Sequence, residues 1–259
     1  MIKMAMNFDF FNKWVQDNLG IRLEAYKERQ MQRRIGNIMQ TTGAKTLEEY
    51  AKILSKDSKA REEFIEHLTI NVTEFYRNKD IFDEFEDVLK KIVVKNTSRP
   101  KIWSAACSTG AEPYTLAMIL DKNKINGSIV ATDIDKVILD KAKSGRYSLH
   151  ELKNVSKTDI SNYFSKREDG DYEVKPGLKQ KITFKRHDLL KDCYESRCDV
   201  IVCRNVTIYF KPDARDEVYQ NFADALNKGG IFFTGATETI NNPEQFGLKK
   251  VASFIYQKA

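Results

Sequence analysis

Residues Lys101–Tyr114 read KIWSAACSTGAEPY, and the reading of the whole chain works outward from them. A short apolar run containing Ile102 and Trp103 passes into the small residues Ser104, Ala105 and Ala106. A strand of that kind suits the centre of an α/β sheet, buried on both faces. Ser108, Thr109 and Gly110 then form a tight turn in which a ligand can approach the backbone. Glu112 and Pro113 start a helix that Tyr114, Leu116, Ala117, Ile119 and Leu120 continue. Strand, small-residue turn and helix hold nucleotide-like ligands at the carboxyl edge of parallel sheets. A single glycine turn also fits an ordinary βα connection, so the downstream residues decide.

Downstream, Ser128–Thr132 is β-branched and apolar and ends at Asp133, 23 residues past Gly110. An acid at that place can accept both hydroxyls of a ribose, or cap the helix that follows. Ile182–Lys185 predicts a third strand, ending at His187, Asp188 and Leu189, and Asp199–Cys203 a fourth, running into Arg204 and Asn205. Pro212 opens a helix, Ile231–Thr234 predicts a fifth strand, and Ser253–Gln257 a closing one. Residues 147–180 break this rhythm, and Asp169-Gly170 flanked by Tyr172 and Val174 signals a hairpin insertion. Strands alternating with helices imply an α/β, doubly wound sheet. Gly110, Asp133, Asp188 and Arg204-Asn205 then gather at one sheet edge, as ligand-site residues do.

Upstream, residues from about Asn7 to Val94 read as helical. The expected division is a helical domain with linker over residues 1–95 and an α/β domain over 96–259, carrying the insertion at 147–180. The segment from Ile21 to Gln40 has Met31, Ile35, Ile38 and Met39 at helical spacing. Its other side holds Arg22, Lys27, Arg29, Arg33 and Arg34 against Glu24 and Glu28. On charge alone this is a solvated helix face; an acidic partner would make it a docking surface. In TINVTEFYR, Asn71, Thr73 and Arg77 thread an apolar segment, which fits a connection across a pocket or capping of the next helix.

The bulk numbers exclude several classes. At 41% hydrophobic and 31% charged, the 259 residues describe a soluble globular protein, with no span-length apolar run and no secretory signal pattern. The four cysteines show no paired spacing and read as reduced thiols of a cytoplasmic protein. Three scattered histidines form no metal-ligand pattern, so no metal is expected. The net charge of +6 permits an acidic partner without requiring nucleic acid.

WSAACSTGAEPYT, ATDID and CRNVTIYF, preceded by TINVTEFYR, resemble the bacterial chemotaxis receptor methyltransferases of CheR type. The resemblance runs over nearly the whole chain. It implies a class I S-adenosylmethionine-dependent methyltransferase sheet behind a helical domain. It implies methyl transfer from S-adenosylmethionine to glutamate side chains of chemoreceptor cytoplasmic helices, giving γ-glutamyl methyl esters and S-adenosylhomocysteine. By that resemblance Asn71, Thr73, Arg77 and Gly110 would line the cofactor pocket and Glu112 would lie near the methionine moiety. Asp133 would hold the ribose, Asp188 and Leu189 would flank the adenine, and Arg204 and Asn205 would complete the site. Arg77, Arg204 and Tyr209 would stand closest to the transferred methyl. Lys27, Arg29, Arg33 and Arg34 would dock on acidic receptor helices, which overturns the solvated-face reading. A monomer that neither binds nucleic acid nor enters the membrane is implied.

The chain departs from the family's pattern at two places: Ala111 stands where a first glutamate is usual, and Ala236-Thr237-Glu238 where His-Ser-Glu is usual. Some members bind a receptor's C-terminal peptide through the insertion; the short Lys166–Tyr172 loop reads as a member that does not need it. Two rivals remain. One is a methyltransferase of the same fold acting on nucleic acid or a small molecule; a nucleic-acid enzyme needs a broad basic patch with stacking aromatics. A sensor without catalysis binds the cofactor and does not turn it over.

Overall fold

The structure, a computed structural model, describes residues 6–259. They form two compact units. One holds the residues up to Ile70 together with Tyr209–Arg215, the other Asn71–Ile208 together with Asp216–Ala259. The expected boundary at 95/96 therefore differs from the observed one. Residues 71–95 belong to the sheet unit because Phe75, Phe82, Phe85, Val88, Leu89 and Val93 pack in one buried cluster with sheet residues.

The helical unit contains helices Phe8–Leu19, Glu28–Thr41, Leu47–Lys56 and Ser58–Leu68. Three of these four starts carry side-chain caps, Asn7 on Phe10 N, Thr46 on Glu49 N, and Asp57 on Lys59 N and Ala60 N. Gly20 ends the first in the left-handed region, at φ 72°. Phe11 stacks on Tyr50 at 5.7 Å and meets Phe64 edge-on at 5.8 Å, which makes this aromatic trio the unit's centre.

Among the described residues the main sheet of the other unit has seven strands. These are β1 (Lys101–Ala105), β2 (Ser128–Asp133), β3 (Ile182–Arg186), β4 (Cys198–Cys203), β5 (Leu226–Thr234), β6 (Leu248–Ala252) and β7 (Ile255–Lys258). Their spatial order is β3-β2-β1-β4-β5-β7-β6. The first five run parallel, and β7 is antiparallel to both β5 and β6. β6 was not expected from the sequence, and it supplies the edge on which the chain's last strand lies.

β1 is central, as its apolar run requires. Ile102 and Trp103 are fully buried and point to opposite faces. On one face Phe233 of β5 stacks on Phe85 at 4.9 Å. On the other Trp103 meets Phe222 of helix Pro212–Ala225 at 5.4 Å. Each such ring removed from water contributes about 2–3 kcal/mol. The expected insertion is a separate three-stranded sheet in the order Arg146–Tyr147, Tyr172–Val174, Phe164–Lys166. Its turn passes through Gly170 at φ 91°. Because β1 to β5 are parallel, their carboxyl ends share one edge, and the chemistry collects there.

Candidate active site

After β1 the chain takes an unusual path. Ala106, Ser108 and Gly110 all adopt positive φ, at 64°, 50° and 89°. Gly110 has no freedom to change, because a Cβ would lie 2.9 Å from the Tyr147 hydroxyl and 3.0 Å from Ala142 Cβ. Tyr76, Asn78 and Asn205 are left-handed too. Non-glycine residues held there store strain, which folded proteins retain mainly at functional sites.

The acid at the end of β2 is the anchor of this loop. Asp133 accepts a hydrogen bond from Ser108 N at 2.8 Å on one oxygen and from Asp135 N at 3.1 Å on the other. It is 6% exposed, and burial pushes its carboxyl up to about 6 against the pull of those main-chain donors. The capping role belongs to its neighbour Asp135, which accepts from Val137 N and Ile138 N. Asp135 also receives Asn71 Nδ2 at 2.9 Å, so the loop before the sheet is tied to the end of β2.

The acid–base pair of the site is buried. Glu112 Oε1 accepts from Ser104 Oγ at 2.7 Å, and its Oε2 lies 4.0 Å from Arg204 Nη1. Burial raises the Glu112 carboxyl and lowers the Arg204 guanidinium, while each is partly held ionised by the other. The Arg204 guanidinium lies between the rings of Phe82 and Phe233, at 4.8 and 5.0 Å from their centroids. Its Nη2 donates to the Arg77 carbonyl oxygen at 2.8 Å and to Asn78 Oδ1 at 3.2 Å. Arg77 in turn closes its own loop by donating to the Val72 carbonyl oxygen at 2.9 Å. Thr73 lies half-buried in that loop.

Past β3, Asp188 is buried, and burial raises its carboxyl. It accepts from Leu190 N at 2.9 Å, and the Leu189 carbonyl oxygen accepts from the Tyr194 hydroxyl at 2.7 Å. The main-chain N–H of His187 donates to the Asp133 carbonyl oxygen at 2.9 Å, which ties the ends of β2 and β3 together.

Of the residues expected here, Glu112, Arg204 and Arg77 are joined in one set of contacts, and Asn71 and Asp133 meet through Asp135 in another; Gly110 and Asn205 lie in the loops after β1 and β4, and Asp188 and Leu189 just beyond β3. Tyr209 groups with the helical unit. Its carbonyl oxygen accepts from Lys27 N at 2.8 Å, and Arg34 lies 5.6 Å over its ring. Lys27, Arg29 and Arg33 are exposed on the helical unit. Arg34 differs from them: it donates to the carbonyl oxygens of His67 and Leu68, both at 3.3 Å, and so finishes helix Ser58–Leu68.

Sequence reasoning gave three residues no role in the site. Ser104 presents as a small residue of a strand, yet it carries the hydrogen bond to Glu112. Gly235 and Glu238, just after β5, receive the loop that follows Arg204: Glu238 accepts from the main-chain N–H groups of Asn205, Val206 and Thr207. The signal was a glycine and an acid just after a predicted strand, the acid standing where the family's His-Ser-Glu ends.

The donor set suits a sulfonium-bearing nucleoside. Ser108 Oγ and Asn205 Oδ1 are buried and form no hydrogen bond within the protein. Asp133 keeps free lone pairs for ribose hydroxyls, and the carboxylates of Glu112 and Asp133 favour a cation.

Comparison with known proteins agrees. The family model described as CheR methyltransferase, SAM binding domain matches residues 71–255, and that described as CheR methyltransferase, all-alpha domain matches 6–69. The chain is 39% identical over 258 residues to the chemotaxis protein methyltransferase of Listeria monocytogenes, covering 98% of each. It is 31% identical to chemotaxis protein methyltransferase 1 of Pseudomonas aeruginosa, covering 98% of this chain and 97% of that one. Similarity of this extent, over both units and through every strand that carries a site residue, makes the chain a member of the CheR methyltransferase family.

Proposed function

We propose that the protein transfers the methyl group of S-adenosylmethionine to glutamate side-chain carboxylates of chemoreceptor cytoplasmic helices. The products are γ-glutamyl methyl esters and S-adenosylhomocysteine. The observation that supports this reading is the placement of Asp133, Glu112, Arg204 and Asn205 at or beyond the carboxyl ends of neighbouring parallel strands in a chain of this family.

When bound, the donor supplies an electrophilic methyl on a positively charged sulfur. The chain's residues have the remaining tasks of binding, orienting and excluding water. Asp133 accepts from the ribose hydroxyls, and Ser108 Oγ and Asn205 Oδ1 offer further polar contacts. Asp188 and Leu189 border the base. Glu112 faces the cationic end, its own charge balanced by Arg204.

No general base is required, because a glutamate carboxylate has an ordinary pKa of about 4.3 and is already the nucleophile at neutral pH. The protein's thiols are poor candidates for that role. Burial pushes Cys107 and Cys203 well above the usual thiol range. Arg77, half-buried at the loop, has N–H groups beyond its Val72 contact with which to orient the acceptor carboxylate. Anion and cation become two neutral products, so charge disappears along the path and alignment in a dry site favours it. The exposed Lys27, Arg29 and Arg33 face suits the acidic receptor helices.

The test is transfer of tritiated methyl from S-adenosylmethionine to receptor-containing membranes. The expected product releases methanol in mild alkali, as a carboxyl methyl ester must. Label that survives alkali, or none at all, overturns the reading.

A further inference from the structure

The turn after β5 carries a buried anion that the reaction itself does not use. Glu238 is 4% exposed. Its Oε2 accepts from Asn205 N at 2.5 Å and Gly235 N at 2.8 Å. Its Oε1 accepts from Val206 N at 2.9 Å, Thr207 N at 2.8 Å and Thr207 Oγ1 at 2.8 Å. Among the described residues no Lys or Arg forms an ion pair with it, so main-chain N–H groups hold the charge. Successive N–H groups turned towards one point form the kind of nest that binds free anions, filled here by a side chain of the same protein.

The nest cannot be built any other way. Asn205 must adopt φ 61° for its N–H to point at Glu238 while Arg204 turns back towards Glu112. Gly235 must lack a side chain, since a Cβ there would fall within 2.8 Å of Asn205 N and closer still to Glu238 Oε2. Thr207 adds a second tie, its hydroxyl also meeting the Tyr219 hydroxyl at 2.9 Å. The same residue that Glu238 grips by its N–H, Asn205, carries a buried carboxamide oxygen without a partner in the protein.

We propose that Glu238 is a positioning residue for the methyl-donor site: by clamping the main chain of residues 205–207 it fixes the direction of the Asn205 carboxamide. The inference rests on the donor-site reading above and names the residue that makes the site rigid. Gln at this position has the same shape but presents an amide N–H where two or more main-chain donors converge, so the clamp opens.

The experiment is calorimetric binding of S-adenosylhomocysteine to the wild type, Glu238→Gln, Asn205→Ala and the double variant, with thermal unfolding of each. Glu238→Gln and Asn205→Ala should each weaken binding about tenfold or more, the scale of one lost charge-assisted contact. The double variant should bind no more weakly than the worse single variant, because the two residues act as one unit. Wild-type affinity in folded Glu238→Gln overturns the proposal, as do losses that multiply in the double variant. A lowered melting temperature with unchanged affinity also overturns it, since that is a purely structural role. If Glu238→Gln does not fold, Thr207→Val takes its place. It removes one donor to the carboxylate and should weaken binding by about threefold; unchanged affinity sinks the idea. A wild type that does not bind S-adenosylhomocysteine instead refutes the donor-site reading itself.

Discussion

Arg204 donates through Nη2 to the carbonyl oxygen of Arg77 at 2.8 Å, joining residues 127 apart in the chain. The same guanidinium is held between Phe82 and Phe233 and faces Glu112. Arg204 is therefore part of the core as well as of the site, which separates the two arginines experimentally. Arg204→Ala leaves Glu112 buried without its cation, and should cost about 3 kcal/mol of stability along with methyl transfer. Arg77→Ala, half-buried, should lose most activity with a melting temperature near wild type. Activity assays paired with thermal melts check both, and full activity in either variant removes that arginine from the site.

Asp133 should leave a mark on the pH dependence of stability. Its folded-state pKa of about 6 lies above that of the unfolded chain, so the native state binds the extra proton in between. Stability should fall as pH rises from about 4 to about 6, by about 3 kcal/mol, and then level off. Asp133→Asn should remove that slope. Binding of S-adenosylhomocysteine should strengthen over the same window, because the ionised carboxylate accepts both ribose hydroxyls. Denaturant titrations and calorimetry between pH 4 and 8 read both, and identical slopes in the two proteins would exclude the assignment.

Gly110→Ala should destabilise the sheet unit by about 1–3 kcal/mol. The residue holds φ 89°, and the new methyl would press on Tyr147 and Ala142. Urea unfolding measures the loss; a neutral substitution would mean the loop relaxes freely.

Charge reversal divides the basic helix into two classes. Arg29→Glu with Arg33→Glu should raise the receptor KM about tenfold or more while stability and cofactor affinity hold. Arg34→Glu should lower the melting temperature, because Arg34 closes the end of helix Ser58–Leu68. An unchanged receptor KM in the first variant returns Arg29 and Arg33 to a solvated face.

Much of this architecture could be read from periodicity and turn chemistry. Apolar runs placed β1, β2 and β4, and the cap glycines Gly20 and Gly145 stand at left-handed helix ends. β6 escaped because Lys249 and Lys250 interrupt it; an edge strand with one open side keeps its lysines in water. The unit boundary also escaped. Helix Lys79–Val88 is as amphipathic as its predecessors, and only the partner of its apolar face, Phe233, assigns it to the sheet.

The site divides in the same way. Gly110 and Asp133 were legible because their roles are local: a turn that needs positive φ and an acid at a strand end. Glu238, Ser104 and the embedding of Arg204 were not, because each depends on which strand lies beside which. The sequence by itself determined the alternation of strands and helices and the polar residues at strand ends, since those obey short-range sterics and burial. Only the tertiary structure decided that the loop after β4 meets the turn after β5, because long-range pairing of the strands, not any local pattern, brings main-chain N–H groups onto one buried carboxylate.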